Sequence, residues 1–206
     1  MNKINLSSLS SKEAGYLIGF FIGDGYCNFN KNNRHYKIEF YFNSISDNES
    51  AGYIRSLLEK IGLRPFSVKD KRFNSFRIAV NSKELMIFLS DKKINFESSK
   101  SNDGDYTLGL ISGFIDAEGY VKNGEILLTQ KNKAVLEKIK ELAESIGIET
   151  RKFWTAKQHQ RTTNISRLRL STKFKYLLHS SYKVNKQYSG VAIASDTEVE
   201  TCNVSN

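Results

Sequence analysis

A chain of 206 residues, 39% hydrophobic and 12% aromatic, is long and apolar enough to bury a core as one domain or two small ones. Its formal charge of +9 favours a polyanionic partner, most simply nucleic acid, through attraction to phosphates and release of their counterions. Two cysteines, Cys27 and Cys202, without Cys-x-x-Cys spacing, argue against a zinc site or disulfide framework, and no apolar run of signal or membrane-spanning length is present, so an intracellular, unsecreted protein is expected.

In chain order, Ser10 and Glu13 have the spacing of a capping box that opens a helix over residues 14–24, rich in Leu, Ile and Phe and stopped by Gly25. Residues 26–30 and 35–42 predict a hairpin, its second strand alternating Tyr36, Ile38, Phe40 and Phe42 with His35, Lys37, Glu39 and Tyr41. Ser46 and Glu49 suggest another capping box and a helix through Lys60, carrying Ile54, Leu57 and Leu58 and stopping at Gly62. Beyond Pro65 a second hairpin sets Phe66 and Val68 against Ser67 and Lys69, and Phe76, Ile78 and Val80 against Ser75 and Arg77. A short helix over 81–89 and a polar linker over 91–105 follow.

The order then repeats. A second apolar helix, 107–118, leads to a hairpin over 120–130 turned by Asn123-Gly124, a helix from Asn132 to Ile146 stopped at Gly147, a hairpin over 149–170 and a closing helix over 172–179. Residues 181–206 form a tail with no periodicity in its last part. Two halves, 1–90 and 106–180, each read helix, two strands, helix, two strands, helix. This is an α+β class with two pseudo-symmetric αββαββα units, whose antiparallel sheets each have one face packed on helices and one open.

The two apolar helices are near copies. Aligned, they place Gly19 with Gly113, Gly23 with Ala117, Asp24 with Glu118 and Gly25 with Gly119, always 94 positions apart, as from Asp24 to Glu118. Small residues one turn apart allow two backbones to approach closely, so the helices should pack together along Gly19, Gly23, Gly113 and Ala117. Asp24 and Glu118 would then meet where both helix dipoles are already negative, and a cation should sit between them. Oxygen donors of this kind suit Mg²⁺ or another hard divalent ion.

Residues 17–25 (LIGFFIGDG) and 111–119 (ISGFIDAEG) resemble the two motif copies of the monomeric LAGLIDADG homing endonucleases. The second agrees at Gly113, Ile115, Asp116, Ala117 and Gly119 and has Glu118 for the motif's second Asp, whereas the first has Ile22 for its first Asp, a helix-capping position. The resemblance covers roughly residues 10–180 and implies two sheets forming a DNA-binding saddle. It also implies hydrolysis of one phosphodiester per strand of a long, non-palindromic duplex, across the minor groove, leaving short 3′ overhangs. Mg²⁺ would serve, with Mn²⁺ substituting and Ca²⁺ supporting binding without cleavage. Asp24 and Glu118 would hold the ions with the carbonyls of Gly23 and Ala117. Gln130 would position water and Lys131 would stabilise charge. The offset between the Ile61 and Ile146 ends, 85, pairs residues 129–131 with Ser44, Ile45 and Ser46, leaving Asn43 or Lys37 as a basic partner in the first half and Lys122 as a further one in the second.

The DNA-facing residues expected from strand alternation and loop position are Lys31, Arg34, Lys37, Tyr41, Lys69, Arg77, Arg151, Lys157, Arg161, Arg167 and Arg169. Of these Arg77, Arg167 and Arg169 suit guanine edges, and Lys31, Lys69 and Lys157 suit phosphates. His35, His159 and His179 lack ligand spacing. Two alternatives use the same scaffold: an RNA-binding maturase acting on intron RNA, and a DNA-binding regulator without catalysis. Two intact acids favour cleavage.

Overall fold

The computed structural model describes residues 4–31, 35–70, 74–99, 101–122, 125–151, 153–157, 164–171 and 181–184. After a 3-10 turn, Leu6–Ser8, the first half runs α1 (Ser11–Asp24), β1 (Gly25–Asn30), β2 (His35–Asn43), α2 (Asn48–Lys60), β3 (Phe66–Asp70), β4 (Ser75–Asn81) and α3 (Lys83–Ile94). The second runs α4 (Gly104–Glu118), β5 (Gly119–Lys122), β6 (Glu125–Gln130), α5 (Lys133–Ser145), β7 (Trp154–Lys157) and β8 (Asn164–Ser171). The sheets are antiparallel with orders β1-β2-β4-β3 and β5-β6-β8-β7. The duplicated α+β architecture read from the repeat is therefore the fold. The turn at residues 123–124, the helix expected over 172–179, Arg34, Arg161, His159 and the tail beyond 184 lie outside the described residues. Among the described residues no helix is long and apolar enough to cross a membrane.

Local chemistry explains most boundaries. The Ser10 N–H donates to Glu13 Oε2 at 2.7 Å and the Glu13 N–H to Ser10 Oγ at 3.3 Å, closing the capping box of α1. The box expected at the start of α2 does not form. Asp47 is the N-cap there, with φ −109° and ψ 20°, and its carboxylate instead accepts from the Asn43 N–H at 2.9 Å and Ser46 Oγ at 2.6 Å. Helix α3 starts at the Ser82 cap and runs to Ile94 rather than Leu89, and α4 starts at Gly104, so the expected linker is helical at both ends with Phe96 buried between. Gly62 and Gly147, at φ +88° and +83°, are the left-handed stops of α2 and α5.

Helices α1 and α4 cross at the centre of the molecule and join the two halves into one buried apolar cluster. A Cβ on Gly15, Gly19, Gly109 or Gly113 would fall on the carbonyl oxygen of Tyr106, Leu110, Lys12 or Tyr16 of the facing helix, respectively. Gly19 and Gly113 were legible from their spacing, and Gly15 and Gly109 extend the same stripe by one turn. At the far end a Cβ on Gly23 would stand 2.6 Å from Ala117 Cβ and 3.0 Å from Glu118 Cγ.

Gly25 and Gly119 are not left-handed stops. With φ −95° and −85° they turn directly into β1 and β5, so no residue separates either acid from a strand. Glycine is required because a side chain would strike the Phe21 ring and carbonyl in one half and the Ile115 carbonyl in the other.

Strand register corrects two sequence alignments. Gly25 pairs with Phe40 and Gly119 with Leu128, an offset of 88 on the second strands. Residues 129–131 therefore correspond to Tyr41, Phe42 and Asn43, not Ser44, Ile45 and Ser46. The first hairpin is longer by six residues (from 94 to 88) and the connection before α2 by three (from 88 to 85). Lys69 pairs with Phe76, and Val68 with Arg77. Paired residues share a face, so Lys69 stands on the helix side at a strand end, and Val68 on the open face where Lys69 was expected.

Candidate active site

Asp24 and Glu118 end α1 and α4 side by side, the meeting of helix ends having been fixed by the glycine stripe. Burial, and then the charge of Glu118, push the Asp24 carboxyl from 3.8 up to about 7. Asp47 adds to the rise, while Lys183 and Lys93 oppose it. Burial also raises Glu118, opposed by a hydrogen bond from Gln130 and by the same two lysines. Gln130 Nε2 donates to Glu118 Oε1 at 2.9 Å, and Gln130 Oε1 accepts the Lys131 N–H at 2.8 Å, so the amide is oriented from both ends. The Lys131 side chain is exposed. Phe42 takes the place of Gln130 in the first half, its ring 4.9 Å from Phe20 and 5.4 Å from Phe76, so Asp24 has no amide equivalent there. Asn43, offered as an alternative, spends its Oδ1 on the N–H groups of Ile45 and Ser46.

Two lysines not read from the sequence complete the arrangement. Lys93 Nζ donates to the carbonyls of Gly25 at 3.0 Å and Phe21 at 3.3 Å. Lys183 Nζ donates to those of Ala117 and Gly119, both at 3.2 Å. Each thus covers the negative end of one motif helix, and each acts electrostatically on both acids. Burial pulls Lys93 downward, against the upward influence of Cys27, Asp24 and Glu118. The only sequence signal is their 90-residue separation, close to the repeat offset but hidden in lysine-rich stretches.

The donor set tests whether a metal fits. Two desolvated carboxylates and helix-end carbonyls are all hard oxygen donors, and among the described residues no group of three or more His, Cys, Asp or Glu surrounds them. Such a site suits an ion that retains much of its water, as Mg²⁺ does. Protons compete with it: because Asp24 sits at about 7, affinity should tighten by about tenfold per pH unit up to 7 and then level off. Calorimetric titration with Ca²⁺ between pH 6 and 8 checks this.

The open sheet faces hold most of the expected DNA contacts, but not as free charges. In the first half Glu39, 4% exposed, binds Lys37 at 2.6 Å and Arg77 Nε at 3.1 Å and accepts from the Tyr41 hydroxyl at 3.3 Å. In the second, Glu125 binds Arg151 at 3.2 Å and Arg169 at 3.5 Å, while Arg169 lies over Trp154 at 4.9 Å. Arg167 shares that face, paired with Thr129 and Trp154. The surface is thus a mixed one in which a central acid holds basic heads in place. Lys31 is exposed at the tip of the first hairpin. The side chains of Lys122 and Lys157 lie outside the described residues. Tyr26 and Tyr120, 53% and 57% exposed, flank the two acids on the open faces.

Residues 105–181 match the family model described as a LAGLIDADG-like domain, and the described residues have the two-half fold of LAGLIDADG proteins. Among individual proteins, it is 31% identical over 153 residues to an uncharacterized protein of Methanocaldococcus jannaschii, covering 71% of this chain and 54% of that one. The chain thus spans about half the length of that relative. Its fold is similar to mesophilic variants of the homing endonuclease I-DmoI, with TM-score 0.66, 21% identity, and coverage of 84% and 98% of the two chains. It is also similar to full-length DUF199/WhiA from Thermatoga maritima, with TM-score 0.55, 12% identity, and coverage of 94% and 69%.

Proposed function

We propose that this chain is a divalent-metal-dependent endonuclease that cuts both strands of a specific DNA duplex. The observation that carries the reading is the pair Asp24 and Glu118, desolvated at touching helix ends with a lysine at each. Solved structures of the fold relative I-DmoI contain DNA with Mn or Ca, and one of its point variants was solved with DNA and Mg. Asp24 and Glu118 would hold the metal, helped by the carbonyls of Gly23 and Ala117. When bound, the ion activates water and stabilises attacking and leaving oxygens. Gln130 orients Glu118 and the solvent beside it, while Lys93 and Lys183 offset charge that develops on the phosphate. The open sheet faces seat the duplex, with Arg77, Arg167 and Arg169 reaching base edges and Lys31 a phosphate.

The test is selection of cut sites from a randomised duplex library with Mg²⁺, with Ca²⁺ as the binding-only arm. Specific cutting is expected. Binding in both arms with no cutting in either would replace this reading with that of a DNA-binding protein without catalysis. On the selected site, Lys93→Met and Lys183→Met should each slow cutting by about 10²-fold with binding little changed. A gel-shift titration run beside the cleavage assay separates the two effects.

A further inference from the structure

Asp116 and Ile22 hold the same place in the two motifs but do different things. Ile22 is buried in the apolar core of the first half. Asp116, 1% exposed, accepts four hydrogen bonds: from the Tyr16 hydroxyl at 2.6 Å, Ser181 Oγ at 2.8 Å, the Tyr182 N–H at 2.9 Å and the Lys183 N–H at 3.0 Å. Three of these come from one turn, residues 181–184, far along the chain. That turn is docked by more than the carboxylate. Ser181 and Val184 are buried, and the Tyr182 ring stands edge-on to Tyr16 with centroids 6.4 Å apart and 5.7 Å from Tyr53.

The same turn brings Lys183 Nζ to the Ala117 and Gly119 carbonyls beside Glu118. Lys93, its counterpart, is placed otherwise. It belongs to the last turn of α3, a helix capped by Ser82 and packed through buried Leu85 and Leu89. Lys93 therefore needs no separate turn to be anchored, in keeping with an apolar residue at position 22.

We infer that Asp116 is a positioning residue: it clamps the 181–184 turn onto α4 and so sets Lys183 at the acid pair. The inference rests on the cleavage reading and assigns a role to the only motif carboxylate that the acid pair leaves unused. Its mark is asymmetry, because loosening the clamp disturbs the lysine of one half and leaves Lys93 on its helix.

The test is a single-turnover assay on the selected duplex, labelled separately on each strand, with Mg²⁺. Asp116→Asn should slow one strand by about 10- to 100-fold, the strand that Lys183→Met slows, and leave the other within about twofold. Combined with Lys183→Met it should add nothing, since both changes remove the same interaction. Ser181→Ala, which removes one donor and threatens folding less, should give a smaller loss on the same strand. If Asp116→Asn and Ser181→Ala slow both strands alike, or their losses multiply with that of Lys183→Met, the inference is overturned while the cleavage reading stands. If the parent protein leaves both strands whole, the cleavage reading has failed and the inference goes with it.

Discussion

Asp24→Asn is expected to make the metal-free protein more stable while removing DNA cleavage. The Asp24 carboxyl is raised from 3.8 to about 7, so its contribution to stability is full below about pH 4 and is lost as pH rises through 7. At pH 8 the parent protein holds two desolvated anions where two helix dipoles are already negative. Asparagine keeps the shape and removes one of those charges. The gain should be ~3 kcal/mol, roughly 6–12 °C in Tm for a chain of this size, read by thermal unfolding in EDTA at pH 8. It should shrink to about 1 kcal/mol at pH 5 and vanish below about pH 4, where the carboxyl is protonated in the folded and the unfolded chain alike. Mg²⁺ should reverse the order by stabilising the parent through binding. Cleavage should fall by about 10²–10³-fold or more. Glu118→Gln should behave alike with a smaller gain, because Gln130 and both lysines already relieve Glu118. An Asp24→Asn protein less stable than its parent at pH 8 without metal would contradict the electrostatics of the site.

The second large effect concerns the glycine stripe. In an open helix, Gly to Ala stabilises by about 0.5–1 kcal/mol. Gly52 in α2 has nothing within 4 Å of an added Cβ, so Gly52→Ala should show that gain. Gly19→Ala and Gly113→Ala should show the opposite sign. Their methyl groups would fall on the Leu110 and Tyr16 carbonyls, which are helical backbone and cannot yield without moving the helix. Overpacking of this kind costs about 1–3 kcal/mol, and spreading the helices also parts Asp24 from Glu118. Denaturant unfolding and cleavage assays on the three variants should therefore separate cleanly. Equal stability of Gly19→Ala and Gly52→Ala would mean that the helices are not in contact through their backbones.

What the sequence made legible was local or repeated. The Ser10 and Glu13 box, the left-handed stops at Gly62 and Gly147 and the duplicated helices all follow from short-range chemistry or from self-similarity. What it hid depends on register and on distant packing. Aligning the halves by one offset gave Ser44 to Ser46 as partners of residues 129–131, because two insertions of different length lie between the landmarks. Lys69 alternates correctly along its own strand, yet the neighbouring strand decides which face is open. Lys93 and Lys183 reach the site from elements remote in sequence, among many other lysines. Glu39 looked like one more charge on an exposed face, but Lys37 of its own strand and Arg77 of the neighbouring strand enclose it.

The passage from α1 into β1, and from α4 into β5, has no slack residue between acid and sheet. On the proposed cleavage reading, a sheet that seats imperfectly on the wrong base sequence would therefore tilt its own carboxylate with it. Fidelity would then be mechanical as much as chemical: the blade is forged in one piece with the hand that feels for the target.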